Sequence, residues 1–287
     1  MFREAREARG TAFDRRSGVL PAVAVFSNWV LFMFWKRKSK SAPPMRDSFA
    51  IPDGRRVYAI GDIHGRDDLF AELIGLIRAD NAARDHAEVT LILLGDLVDR
   101  GPQSAEVVER AIRLKDEFPD TRLLIGNHEE CFLAALTGDV RRLRYFMRIG
   151  GDATVRSYWK DEATFVEASF EEVAERLPAI VPFEHVQFLG GGEDVVEIGD
   201  YIFVHAGIRP GVPIGKQSLG DLRWIREEFL DDERDHGAII VHGHTIYDEV
   251  DEWPNRIGID TGAYKSGVLT AIVLEGTERR YLKTDGE

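Results

Sequence analysis

Five apolar runs in this chain each lead into a short polar block that contains glycine. Runs at 57–60, 89–94 and 123–125 lead into Gly61-Asp62-Ile63-His64-Gly65, Gly95-Asp96-Leu97-Val98-Asp99-Arg100-Gly101 and Gly126-Asn127-His128-Glu129-Glu130. Runs at 201–204 and 238–241 lead into His205-Ala206-Gly207 and His242-Gly243-His244-Thr245. Short continuous apolar stretches bounded by turn residues read as strands buried on both faces. Amphipathic helical spacing fills the gaps. Leu69, Leu73, Ile74, Leu76 and Ile77 mark a helix over 67–83, a second helix covers 104–117 with Ser104 as its N-cap, and a third covers 129–136. Strand–helix alternation predicts α/β layering. From 137 to 185 the pattern changes to aromatic and charged residues at helical spacing, clearest at 142–149, 155–159 and 170–176, and reads as a helical insertion beside the site. Further strands are expected at 256–259, 267–274 and 279–283, giving a second, strand-rich half.

The 287 residues are 44% hydrophobic and 30% charged, a balance that supports a core and a globular class. A single cysteine, Cys131, excludes a disulfide framework and fits a reducing, cytoplasmic setting, where it reads as a buried thiol. The net charge of −13 is unevenly spread. The first 45 residues hold nine Lys or Arg against three Asp or Glu, so the remainder carries −19. A body that acidic repels a phosphate backbone, so long nucleic acids are not expected partners. Residues 1–52 read as an N-terminal extension and linker, and 53–287 as the catalytic domain. Within the extension, 19–35 is mostly apolar and is followed by Lys36-Arg37-Lys38-Ser39-Lys40. Seventeen residues is about the lower limit for a span, and the basic run would keep the catalytic domain in the cytoplasm. Alternatively, translation starts at Met33 or Met45 and the upstream part is not made. The segment 39–52, rich in Ser, Pro and charge, reads as a linker.

Asp62 and His64 are two residues apart, which on an extended backbone puts both side chains on one face, able to grip one ion. Asp96, at the end of a neighbouring strand, can offer two oxygens to two ions. Asn127 adds a neutral oxygen, and His205 and His244 add nitrogens. Mixed carboxylate, amide and imidazole donors suit Mn, Fe or Zn. A metal pair about 3.5–4 Å apart clamps a phosphoryl group and acidifies a water. There is no Gly-x-x-x-x-Gly-Lys-Ser/Thr loop and no Gly-x-Ser-x-Gly elbow, so nothing points to a covalent nucleophile. His86, His185 and His236 stand beside charged residues and are expected to face solvent.

In order and wording, GDIHG, GDLVDRG, GNHEE, VHAG and GHT resemble the metallophosphoesterase (calcineurin-like) superfamily, specifically the bacterial serine/threonine protein phosphatase family, over roughly 57–274. The resemblance implies a four-layer α/β/β/α sandwich with two mixed sheets. It implies two divalent ions, Mn foremost with Fe or Zn as alternatives, one held by Asp62, His64 and Asp96 and the other by Asp96, Asn127, His205 and His244. It makes His128 the general acid and Asp99 its carboxylate partner, and it makes Arg100 and Arg226 the phosphate clamp. Tyr264 matches a tyrosine at the family's cleft. The second histidine of the wider superfamily's Gly-His-x-His block is replaced here by Ile246, but His242-Gly243-His244 offers the same two-residue spacing one step earlier. His244 is expected to be the ligand and His242 a supporting or packed residue, the alternative being that His242 ligates as well. The implied substrate is a phosphoserine or phosphothreonine protein. The alternative is a dinucleoside tetraphosphate cleaved symmetrically, and a catalytically dead scaffold on the same fold is a third reading.

Overall fold

The computed structural model describes residues 49–286. The candidate membrane segment 19–35 and most of the expected extension lie outside them. Among the described residues, ten strands form two five-stranded sheets. The first sheet holds β1 (Arg55–Ile60), β2 (Glu88–Leu93), β3 (Asp120–Leu123), β9 (Thr270–Glu275) and β10 (Glu278–Lys283), in the order β10-β9-β1-β2-β3. The second holds β4 (Val196–Ile198), β5 (Tyr201–Phe203), β6 (Ile239–His242), β7 (Asp251–Glu252) and β8 (Arg256–Gly258), in the order β4-β5-β6-β8-β7. Both sheets are mixed. β1, β2 and β3 are mutually parallel with β9 antiparallel to β1, and β5, β6 and β8 are mutually parallel with β4 and β7 antiparallel at the edges.

The central strands have no polar face because each face meets another apolar layer. In β1, Val57 and Ala59 point toward the second sheet while Tyr58 and Ile60 point toward helices. In β6, Ile239 and Val241 point toward the first sheet while Ile240 points outward. The helices on the first sheet are α1 (Asp67–Ala82), α2 (Ser104–Glu117) and α3 (Asn127–Ala135). They bury Phe70, Leu73, Val107, Val108 and Phe132 among others, whereas Leu76 faces out. The far face of the second sheet is covered by Leu222, Ile225, Phe229 and Leu230, from short helices at Leu219–Trp224 and Glu227–Leu230 and the residue between them. The result is the four-layer α/β/β/α sandwich. Phe49 and Ile51, from the stretch read as linker, are themselves buried in the layer between the sheets.

The insertion is helical, as its spacing implied, and runs to Gly190. Its helices are Val140–Phe146, Asp152–Trp159, Glu162–Glu167, Phe170–Ile180 and Phe183–Gly190, with a π turn at Met147–Gly151 joining the first two. His185, expected to face solvent, is buried there. Its ring takes the Tyr158 hydroxyl at Nδ1 (2.9 Å) and Glu109 at Nε2 (3.1 Å). Its sequence neighbours are charged, but its spatial neighbours are not the same residues. His86 is exposed and His236 half-buried. Ser104 is the first residue of α2 and not its N-cap, and its hydroxyl serves the site described below. No helix among the described residues is long and apolar enough to cross a membrane.

If the layer between the sheets holds the two halves in register, truncating it is costly. Ile272→Ala should lower unfolding free energy by about 2–5 kcal/mol, read as a drop in urea midpoint. Val166→Ala, at a position 67% exposed, should move it by no more than about 0.5 kcal/mol.

Candidate functional site

Two sets of three parallel strands, one in each sheet, deliver their C-terminal ends to one place. In an α/β sheet such ends, with the loops beyond them, are where ligands bind. Asp62 and His64 follow β1. Asp96, Asp99 and Arg100 follow β2, and Asn127 and His128 follow β3. His205 follows β5, His244 follows β6, and Asp260 follows β8. All the metal ligands and the His128–Asp99 pair expected from sequence are buried. The loops lock to one another through backbone bonds. Asp96 O accepts His64 N–H (2.9 Å), His64 O accepts Gly101 N–H (3.0 Å), and His205 O accepts Gly243 N–H (2.8 Å).

Among the described residues, six that are not glycine have positive φ, and five belong to this site: His64 (47°), Asp96 (51°), Asp99 (76°), Arg100 (69°) and His244 (63°). Each such backbone costs about 1–3 kcal/mol and persists only where its surroundings over-determine it. Glycine relieves crowding where even a Cβ would not fit. At Gly243 it would come within 2.0 Å of Asp62 Oδ1.

Asp96 is the hub. Its Oδ2 lies 3.5 Å from His64 Nε2, and its Oδ1 lies 3.4 Å from His205 Nε2. His64, Asp96 and His128 form one cluster of potential donors, and Asp96, His205 and His244 a second. Asn127 joins the second, with Oδ1 3.1 Å from His205 Nε2, which is also 3.3 Å from His244 Nδ1. The far nitrogens of two of the candidate ligand imidazoles are fixed by carbonyls, His64 Nδ1 by Val98 O (2.8 Å) and His205 Nδ1 by Leu94 O (2.7 Å). That leaves each Nε2 directed inward, as outer-shell bonds do for metal-binding histidines. Neither cluster includes Asp62. Its carboxylate accepts the His244 N–H at 3.0 and 3.2 Å and lies beside Asp260.

This donor set fits a bound cation. His64 Nε2, which is turned toward Asp96, is buried without a hydrogen-bond partner, an arrangement that otherwise carries a desolvation cost. Burial lowers the basicity of His64, His205 and His244, His205 to about 4, which favours the neutral form a metal ligand needs. Burial first, and neighbouring carboxylates second, raise Asp62 well above the usual range. Burial raises Asp96 as well. Both carboxylates therefore call for positive charge beside them.

His128 lies at the edge. Its Nδ1 meets Asp99 Oδ2 at 2.5 Å, its Nε2 meets Arg100 Nη2 at 3.1 Å, and its N–H donates to Asp96 Oδ1 at 3.1 Å. Burial above all lowers its pKa to about 4. By distance its Nε2 could also serve His64 and Asp96, at 3.9 Å from Asp96 Oδ2. Arg226 is exposed at the rim, with Nη1 on His244 O (3.2 Å) and Thr245 Oγ1 (3.1 Å). The Arg100 guanidinium lies 4.8 Å from the centre of the Tyr264 ring, which stands edge-on to His64. His242 is buried against Phe229 and belongs to neither donor cluster.

Two site carboxylates escaped the sequence reading. Glu129 is fully buried and accepts the N–H groups of Asp96 (2.7 Å), Leu97 (2.8 Å) and Gly126 (3.0 Å), which fixes the loop that carries the hub. Glutamate three residues after Gly126 is a helix-capping spacing, and was a signal available in the sequence. It also explains why α3 begins at Asn127, two residues earlier than expected. Asp260 faces Asp62, with Oδ1 on Gly262 N–H (2.9 Å).

A model of the calcineurin-like phosphoesterase family matches residues 55–266. The symmetrical bis(5'-nucleosyl)-tetraphosphatase of Acidovorax ebreus (strain TPSY) is 46% identical over 88 residues, 31% of this chain and only 28% of that protein's length. Serine/threonine-protein phosphatase 2 of Escherichia coli (strain K12) is 28% identical over 230 residues, 75% of this chain and 91% of that protein. The asymmetrical bis(5'-nucleosyl)-tetraphosphatase of Bacillus subtilis (strain 168) is 28% identical over 230 residues, 74% and 87%. Among solved structures, a cold-active protein tyrosine phosphatase shares the fold at TM-score 0.51 and 21% identity, covering 81% of each chain. A serine/threonine phosphatase of Saccharomyces cerevisiae does so at 0.50 and 16%, covering 82% of this chain and 81% of that one.

The position of Asp96 between two clusters makes a measurable difference. Elemental analysis of the purified chain should find close to two transition-metal ions, and Asp96→Asn should lose most of both. Full metal content and activity in that variant would show that Asp96 does not bridge.

Proposed function

We propose a function from one premise, that the chain belongs to the calcineurin-like phosphoesterase family: it is a dinuclear-metal-dependent hydrolase of phosphoserine and phosphothreonine in proteins. One observation carries the dinuclear part, namely that the two oxygens of Asp96 face different imidazoles. In this reading Asp62, His64 and Asp96 hold one divalent ion, and Asp96, Asn127, His205 and His244 the other. When bound, such a pair supplies charge to the phosphoryl oxygens and lowers the pKa of a water.

The chain's own residues do the rest. Arg100 and Arg226 flank the donor clusters, and a guanidinium fork matches phosphate oxygens. Asp99 fixes the His128 tautomer with the proton on Nδ1, which turns Nε2 toward the cleft. Arg100 rests on that Nε2. A substrate phosphate that draws Arg100 away opens Nε2 to take up a proton from solvent, and the imidazolium so formed, paired with Asp99 through Nδ1, gives that proton to the departing oxygen and returns to the neutral form.

The choice of a phosphoprotein is supported by the Escherichia coli relative, aligned along 91% of its length. The same level of identity to an asymmetrical tetraphosphatase, and the closer local match to symmetrical ones, support a second reading in which a dinucleoside tetraphosphate is cleaved. Substrate choice lies in the insertion and loops and not in the shared metal site. None of the donors or the acid is missing, which argues against an inert scaffold.

Initial rates with Mn should be higher on a phosphoserine peptide than on a dinucleoside tetraphosphate. The reverse order moves the function to the second reading, and two bound metals with no turnover of either points to the scaffold. General-acid assistance is worth about 10²–10⁴-fold, so His128→Asn should lower kcat on the phosphopeptide by roughly that factor. It should lower kcat on p-nitrophenyl phosphate, whose leaving group needs no proton, by distinctly less. Metal content should be unchanged. Loss of metal with equal damage on both substrates would make His128 a ligand instead.

A further inference from the structure

The turn that carries Asp99 and Arg100 is held from outside by the helical insertion. Both residues have positive φ, at 76° and 69°, so the turn needs partners to stay in that shape. Arg100 N–H donates to Gly150 O at 3.0 Å. Gly150 sits in the π turn with φ 114°, and a Cβ there would come within 2.9 Å of Arg100 Cγ. One helical turn on, Thr154 is fully buried. Its hydroxyl donates to Asp99 Oδ1 at 2.6 Å and accepts the Asp99 N–H at 2.8 Å. Ser104 Oγ, 2.9 Å from Thr154 Oγ1, closes the ring and lies 3.1 Å from the same N–H.

A threonine early in a helix ordinarily bonds to its own helix backbone. Thr154 instead directs its hydroxyl across to a carboxylate 55 residues earlier in the chain. Asp99 thus has Oδ2 on His128 and Oδ1 on Thr154, and its carboxylate plane is fixed by two bonds in different directions. A carboxylate held by one bond can rotate, and the imidazole it orients rotates with it.

The geometry points to Thr154 as a positioning residue that acts on the reaction through Asp99 and His128, which makes the insertion part of the catalytic apparatus. The inference rests on the general-acid reading of His128 only for its leaving-group signature. Thr154→Val keeps the shape and removes the hydroxyl. A hydrogen bond to a buried charged group is worth roughly a ten- to hundredfold factor. Thr154→Val should therefore lower kcat on phenyl phosphate by roughly that factor, and on p-nitrophenyl phosphate by distinctly less. KM and two metals per chain should be retained. Thr154→Ser, which restores the hydroxyl, should stay within about threefold of the native enzyme, less than a lost bond costs. In the His128→Asn background, Thr154→Val should add little, because residues acting as one unit are not additive.

Equal multiplication of the two losses, no rescue by serine, or loss of metal would overturn the inference. If His128→Asn itself shows no leaving-group preference, the general-acid reading fails. Collapse of the valine effect in that background would still place Thr154 behind His128. If the valine protein is not recovered folded, Thr154→Ala is read against the same outcomes.

Discussion

The site depends on two sheets being held face to face, because neither sheet carries a complete set of donors. Asp62, His64, Asp96 and Asn127 leave the first sheet, and His205, His244 and Asp260 leave the second. The apolar layer built from Val57, Ala59, Ile92, Leu94, Val241, Ile257 and Ile272 fixes their separation. At its edge the two halves are joined by polar contacts that belong to the site itself, His205 Nδ1 on Leu94 O and His244 N on Asp62. A small shift of one sheet would move half the donors relative to the other half. The close approach of Gly243 to Asp62 leaves no slack for it.

Burial and strain are concentrated where the chemistry is. Five left-handed residues that are not glycine, and a group of mutually repelling carboxylates, could not persist in an isolated loop. They are tolerated because Glu129, the crossed backbone bonds and the Thr154 hydroxyl satisfy the same short segments from several directions. Burial disfavours the negative charge on these carboxylates, and a cation beside them would stabilise it, so the donor set suits a bound cation.

Much of this was legible in the sequence. Central strands are continuous apolar runs because both faces are covered, and they end in glycine-flanked polar blocks because the chain must turn sharply there. The blocks therefore stood out together with their Asp, His and Asn residues. Partnerships formed at long range did not. His185 looked solvent-facing beside Glu184, yet its partners are 27 and 76 positions away. Ser104 looked like a cap, yet its hydroxyl is taken by the Asp99 turn. Glu129 sat inside a block already in view and Asp260 just past the strand expected at 256–259, but their roles depend on which loops they meet. The edge strands Val196–Ile198 and Asp251–Glu252 are too short to show a period.

The pairing of β1 with β9 sets a condition on how the protein is made. Arg56 stands opposite Glu275, 219 positions later, so that edge of β1 stays open until the intervening residues have been synthesised. At about 5–20 residues per second, the ribosome takes roughly 10–40 s to reach that partner. During that interval an apolar strand with unpaired amides is exposed, the kind of edge that recruits other chains. Non-local pairing of this sort also slows folding. The topology that gathers both sets of strand ends around Asp96 therefore makes the nascent chain dependent on late closure, and a chain released before β9 would hold all the donors named above while leaving its first sheet unfinished.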